Sequence, residues 1–163
     1  MIKIYTDGSC KGNGKEKAVG AWGFVILDND SIIIEHCDTE LYTTNNRMEM
    51  NAIIKAIKSL EEYSSYYNEI NLPVEIYTDS AYVHNCIKQK WYEKWENNNW
   101  INSKKEPVKN KDLWEELIPY FKNEDFIFYK VKGHSKDENE HEKWNNYVDE
   151  LVQSAAQEIK EVL

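Results

Sequence analysis

The hydrophobic period of this chain changes from two to nearly four after its first forty residues, and that switch narrows the folds open to it. Ile2 to Thr6, Ala18 to Leu27 and Ser31 to Thr39 read as strands, the third marked by Ile32-Ile33-Ile34. Asp28-Asn29-Asp30 reads as a tight hairpin turn, so consecutive strands should pair antiparallel. From Asn45 to Tyr63 the spacing is helical. Met48, Ala52, Ile53, Ala56, Ile57 and Leu60 share one stripe, with Thr43 and Thr44 before it as caps. Pro73 opens a short strand, Val74 to Thr78, and Asp79-Ser80 is placed to cap a helix carrying Tyr82, Val83 and Ile87. A tryptophan-, lysine- and asparagine-rich excursion runs from Trp91 to Lys111, followed by a helix to Phe121 and a strand from Phe126 to Val131. A last helix, from about Asn145, should bury Val148, Leu151, Val152, Ala155, Ile159 and Val162. The order specifies an α/β layer: a mixed sheet with helices on both faces and a parallel, right-handed strand–helix–strand crossover.

With 163 residues, 41% of them hydrophobic and 30% charged, one domain spanning residues 1–163 is expected, and neither repeat nor linker divides it. A chain of this size buries roughly 70% of its unfolded surface, so its core needs no staples. Cys10, Cys37 and Cys86 are odd in number and match neither a disulfide framework nor a zinc knuckle, which favours a reducing cytoplasm. No apolar run approaches the ~20 residues that cross a bilayer, so secretion and membrane insertion are both disfavoured.

The 20 basic and 29 acidic residues leave a net charge of −9, which argues against holding nucleic acid by charge alone. The distribution is uneven. Between Lys88 and Lys111 stand seven lysines and three glutamates, a local +4 that leaves −13 for the remainder. A basic segment on an acidic body suggests a delimited contact with a polyanion, assisted by metal ions elsewhere.

The acids that matter stand at strand and helix ends. Asp7 follows the alternation Ile2, Ile4, Thr6, and Asp79 repeats the arrangement in Tyr77-Thr78-Asp79-Ser80. Ligands of α/β sheets collect beyond the carboxyl ends of strands. Glu49 and Asp149, each read as lying near the start of a helix, are placed to reach the same sheet edge. Clustered acids raise one another's pKa unless a cation neutralises them, and hard oxygen ligands select Mg²⁺ or Mn²⁺. Singly, Asp7 reads as well as a turn residue, Asp79 as a cap, and Glu49 and Asp149 as solvated helix acids. Their joint placement favours a metal cradle.

Tyr5-Thr6-Asp7-Gly8-Ser9-Cys10, Thr43-Thr44-Asn45-Asn46-Arg47-Met48-Glu49, Tyr77-Thr78-Asp79-Ser80, Lys132-Gly133-His134 and Asn145 to Leu151 together resemble the ordered motifs of type 1 ribonuclease H over nearly the whole chain. The resemblance implies the ribonuclease H-like fold, with three antiparallel strands followed by two parallel ones. It also implies endonucleolytic hydrolysis of the RNA strand of RNA:DNA hybrids, leaving 5′-phosphate and 3′-hydroxyl ends. By the same match Asp7, Glu49, Asp79 and Asp149 resemble the metal-binding catalytic acids of a two-ion Mg²⁺ site, Mn²⁺ being able to substitute; Asp7 is the candidate bridging ligand, because a residue at the centre of the site can touch both ions. His134 is expected to assist proton transfer without binding metal, whereas His36, His84 and His141 read as ordinary surface histidines. The loop at Cys10, Gly12 and Asn13, together with Asn45 and Asn46, is expected near the RNA minor groove, Asn13, Asn45 and Glu49 touching it by resemblance. A DNA-phosphate pocket is implied near Thr44.

The excursion with Trp91, Trp95 and Trp100 resembles the family's basic handle for the DNA strand. Trp95 is the favoured deoxyribose contact and Asn110 a polar neighbour. Glu93, Glu96 and Asn97-Asn98-Asn99 make this handle weakly basic. The run from Asp137 to Glu142 reads as a solvated acidic loop. Neither a Walker A motif nor a complete H-E-x-x-H is present. A monomer acting on hybrid is the leading reading; a non-catalytic hybrid-binding module and a DNA-cutting nuclease or integrase remain open at this point.

Overall fold

The computed structural model describes residues 1–13, 15–67, 72–132 and 139–162. Alternation carries β1 (Ile2–Lys11), β2 (Val19–Asp28) and β3 (Ser31–Leu41), followed by α1 (Asn45–Tyr67) and β4 (Val74–Thr78). Then come α2 (Ala81–Gln89), α3 (Trp91–Asn97), α4 (Lys111–Phe121), β5 (Phe126–Lys130) and α5 (Glu140–Val162). The sheet order is β3-β2-β1-β4-β5. β1 pairs antiparallel with β2, and β2 with β3. β4 joins β1 in parallel, and β5 joins β4 in parallel. This is the mixed five-stranded sheet expected. At the β2–β3 turn Asn29 and Asp30 both take positive φ, 48° and 68°, the twist a two-residue hairpin requires.

The strand period sorts the core into two layers. Ile2, Ile4, Val74 and Ile76 face α1 and α4, packing with Met48, Ile53, Ile57, Leu60, Leu113 and the fully buried Trp114. Tyr5, Val25, Leu27 and Tyr77 face the other way, against Val148, Val152 and Ala156 of α5. The helical stripe of α1 is buried as the period required. Thr44 Oγ1 accepts the Arg47 N–H at 3.2 Å, and Ser80 Oγ accepts the Val83 N–H at 3.2 Å, so both sequence-derived caps form.

Two expectations at the C-terminus are corrected. α5 starts at Glu140, not near Asn145, so the second half of the run read as a solvated loop is helical. The acids there suit a helix start. Glu140 and Glu142 occupy the positive end of the dipole, Asn139 Oδ1 accepts the Glu142 N–H at 2.9 Å, and Glu140 pairs with Lys3 at 3.0 Å. Glu142 is itself buried, accepting the Lys132 N–H. At the far end Val162 is 82% exposed, and Leu151, Ala155 and Ile159 are half-buried, while Ala156 takes the inward position. Among the described residues no helix is long and apolar enough to cross a membrane.

Candidate active site

Backbone contact comes first in building this site. Gly8 on β1 lies so close to the start of α1 that a Cβ there would stand 2.4 Å from the Glu49 nitrogen and from the Met48 carbonyl carbon. Only glycine lets the strand pass, and its passage brings Asp7 against Glu49. The parallel pairing sets Tyr5 opposite Tyr77, so the two Tyr-Thr-Asp tripeptides run side by side and Asp79 arrives beside Asp7. Carboxylate oxygens of Asp7, Glu49 and Asp79 all lie within 4.8 Å of one another. Asp149, the fourth acid, reaches Asp7 from α5 and helps to raise its pKa. It stands more than two turns into that helix, because α5 begins earlier than its hydrophobic pattern suggested.

The electrostatics of the cluster are unfavourable without a counter-charge. Burial, then the charge of Asp79, then the bond and charge of Asp149 push the Asp7 carboxyl up to about 9, against a small downward pull from the Gly8 N–H. Burial followed by the charges of Asp79 and Asp7 holds Glu49 well above its ordinary range. Glu49 Oε2 is buried with no hydrogen-bond partner among the described residues. An oxygen-rich, repelling group with an unsatisfied buried carboxylate oxygen fits a hard divalent cation such as Mg²⁺.

Below the acids lies an aromatic support that the sequence reading missed. Tyr5 and Tyr77 stack at 4.7 Å with planes 9° apart, Tyr129 extends the stack at 5.2 Å, and His141 closes over Tyr77 at 4.5 Å. The Tyr5 hydroxyl and His141 Nδ1 share a 2.7 Å hydrogen bond. His141 is therefore a packed residue, which corrects its reading as an ordinary surface histidine: its place in the first turn of α5 lays the ring across β1 and β4. The signal was the repeated tripeptide, since two tyrosines each two residues before an acid share that acid's sheet face.

The residues proposed for substrate contact converge at the start of α1. The Asn45 N–H donates to Asn13 Oδ1 at 2.8 Å, and the Cys10 N–H donates to Asn45 Oδ1 at 2.6 Å. Asn46 is exposed beside them, Gly12 takes φ 74°, and Thr44 is spent on its cap. Arg47, which no motif argument singled out, forms a two-bonded pair with Asp112 at 2.9 and 2.8 Å and reaches Asn110 at 3.4 Å. Asn110 also donates to the Tyr82 hydroxyl. His134 lies outside the described residues.

In the excursion, Trp95 packs at 6.2 Å from Trp91, 6.0 Å from Trp100 and 5.6 Å from the buried Trp114. Both Trp91 and Trp95 are half-buried, so each leans on the core and keeps one side open. With Lys94, Asn98, Ile101, Asn102 and Ser103 they line a cavity of about 520 Å³. It does not include the carboxylates.

Comparison with known proteins places this geometry. The RNase H family model matches residues 1–157. The chain is 43% identical to Ribonuclease H of Clostridium botulinum (strain Hall) over 159 residues, 97% of each chain. It is 41% identical to Ribonuclease H of Thermoanaerobacter sp. (strain X514) over 160 residues, 98% of this chain and 90% of the relative. Among solved structures, LC9-RNase H1, a type 1 RNase H with the type 2 active-site motif, aligns with a TM-score of 0.73 at 24% identity, covering 96% of this chain and 72% of that one. LC11-RNase H1 in complex with RNA/DNA hybrid aligns with a TM-score of 0.63 at 22% identity, covering 98% and 99%. The structures carry the fold; the family match and the identities over nearly full length carry the assignment, and the chain belongs to the ribonuclease H family.

Proposed function

We infer that this chain is an endonuclease that hydrolyses the RNA strand of RNA:DNA hybrids, acting as a single catalytic domain and a monomer in the cytoplasm. One observation carries the reading: in a member of the ribonuclease H family, three acids from β1, α1 and β4 converge within 4.8 Å. Asp7, Glu49, Asp79 and Asp149 would hold two Mg²⁺ ions, with Mn²⁺ able to substitute. Bound there, the ions supply the positive charge that activates water and stabilises the leaving 3′ oxygen at neutral pH.

The side chains do the rest. Asp7, central among the four, would be the acid shared between the two ions. His134 moves a proton at the attacking water or the departing 3′ oxygen. Cys10, Gly12, Asn13, Asn45 and Asn46 present short polar groups and backbone to the RNA minor groove, where a 2′-hydroxyl separates RNA from DNA. Thr44 and Asn110 face the DNA strand, and Trp95 packs on deoxyribose. The hydrogen bonds linking Cys10, Asn13 and Asn45 support this by pre-ordering that surface.

The test is incubation with RNA:DNA hybrid, double-stranded RNA and double-stranded DNA, each with Mg²⁺ and with chelator. Cleavage confined to the hybrid's RNA strand, leaving 5′-phosphate and 3′-hydroxyl ends and stopped by chelator, is the expected result. Cutting of double-stranded DNA would favour the DNA-nuclease reading, and binding without cleavage the non-catalytic one.

A further inference from the structure

A second concave site lies on the α5 face of the sheet. Lys11, Gly12, Lys17, Val19, Ala156 and Lys160 line a cavity of about 210 Å³. Its three lysines come from the end of β1, the β1–β2 connection and the last turns of α5, and all three are exposed.

What sets these lysines apart is that three of them converge on one hollow. Acids outnumber bases 29 to 20, and Lys3, Lys58, Lys111 and Lys122 each pair with an acid. None of the ammonium groups of Lys11, Lys17 and Lys160 has a hydrogen bond or ion pair among the described residues. The nearby acids are turned elsewhere. Glu16 lines a neighbouring cavity with Leu41 and Tyr42, which Lys17 also borders but where no ion pair forms between the two, Glu158 lines a groove with Cys37, and Glu161 accepts from Gln157. Three uncompensated cations around one hollow select an anion. Gly12, at φ 74° with no side chain, leaves backbone open to close approach.

Position identifies the anion. Lys11 is four residues beyond Asp7 on the same strand and faces α5 as Asp7 does, which puts it roughly 13 Å further along at about 3.3 Å per residue. Lys160 follows Asp149 along α5 by about 16 Å at about 1.5 Å per residue. Both elements lead away from the acids to the same hollow, next to the Cys10–Asn13 loop. The handle tryptophans instead pack against the opposite layer of the core.

We propose that Lys11, Lys17 and Lys160 form a phosphate-binding subsite for the RNA strand of the hybrid, a few nucleotides from the scissile bond and separate from both the carboxylate cluster and the handle. The subsite rests on the hybrid-cleaving reading above. It gives an acidic protein a grip on the strand it cuts, where the acids alone would repel it.

The test compares the unaltered protein with the triple variant Lys11→Gln, Lys17→Gln, Lys160→Gln, using Lys58→Gln, whose lysine pairs with Glu116, as the charge control. In the triple variant KM for hybrid should rise at least about tenfold at low salt, and the log–log salt slope of KM should flatten by about two units, with kcat kept within about twofold. Hybrids carrying one uncharged methylphosphonate at a time then locate the contact. A neutral linkage in the RNA strand near the cut should raise KM for the unaltered protein and leave the triple variant unmoved. Unchanged KM and slope in the triple variant, or sensitivity only to DNA-strand linkages, would overturn the subsite while hybrid cleavage stands. Failure of the unaltered protein to cleave hybrid would overturn the parent reading as well.

Discussion

The carboxylate cluster and the tryptophan excursion are built in opposite ways. The cluster is assembled from β1, α1, β4 and α5, parts far apart in sequence, and each is fixed by contacts that tolerate little. These are the glycine passage at Gly8, the parallel register of the two tripeptides, and the stack of Tyr5, Tyr77 and His141. The excursion is local. Its charges stand on α3 and the turns leading to α4, and its tryptophans pack mainly on one another and on Trp114. A site of buried, mutually repelling charges should respond to substitution in an all-or-none manner, whereas a surface of solvated charges should respond by degrees.

The sharpest way to break this contrast is Asp7→Asn, which removes a charged oxygen with almost no change in volume. Mg²⁺-dependent cleavage should fall by at least about a thousandfold, with fold and hybrid affinity largely retained. Turnover like that of the unaltered protein, measured with saturating hybrid, would place the chemistry elsewhere. Next in size is His134→Ala. Turnover should slow by roughly ten- to a thousandfold, the scale of one lost proton-transfer group. An unaltered rate from pH 6 to 9 would remove His134 from the proton-transfer step.

The excursion should give the graded result. Trp95→Ala combined with Lys104→Ala and Lys105→Ala should raise KM more than it lowers kcat, and flatten the salt slope by about one unit or less per lysine. Packing sharpens the expectation. Because Trp95 also rests on Trp114, its truncation alone should cost on the order of 2 kcal/mol in denaturant unfolding, while the exposed lysine pair should leave stability unchanged. A pure kcat loss in the folded variant would mean that the excursion only props the site.

The same contrast explains what the sequence disclosed. Strand order, the α1 stripe and the acids at Asp7, Glu49 and Asp79 were legible, because period and motif are local signals that topology then brings together. The start of α5 was not. Glu140, His141 and Glu142 are polar, so a hydrophobic stripe cannot reveal them, and what holds them is the Asn139 cap, the Lys3 pair and the tyrosine stack. Arg47 escaped for a similar reason. Its partner Asp112 lies 65 residues away, and nothing in either neighbourhood announces the pairing. The sequence favoured Trp95 as a deoxyribose contact, and that the same ring also leans on Trp91, Trp100 and Trp114 emerges only from the packing.

If the buried acids are a cation site whose repulsion metal relieves, stability should depend on pH and on divalent cation together. Burial and the neighbouring acids push the Asp7 carboxyl up to about 9 in the folded chain, above its ordinary range near 4 unfolded, so protonation favours the fold. That stability is fully present below about pH 4 and is lost as pH rises through about 9. Without divalent cation, Asp7→Asn should match the unaltered protein near pH 4 and exceed it near pH 9 by at least about 1 kcal/mol, or about 2–4 °C in Tm. Added Mg²⁺ should close that gap by raising the Tm of the unaltered protein more than that of the variant. Equal melting of the two proteins at every pH, with no response to Mg²⁺ in either, would contradict the account.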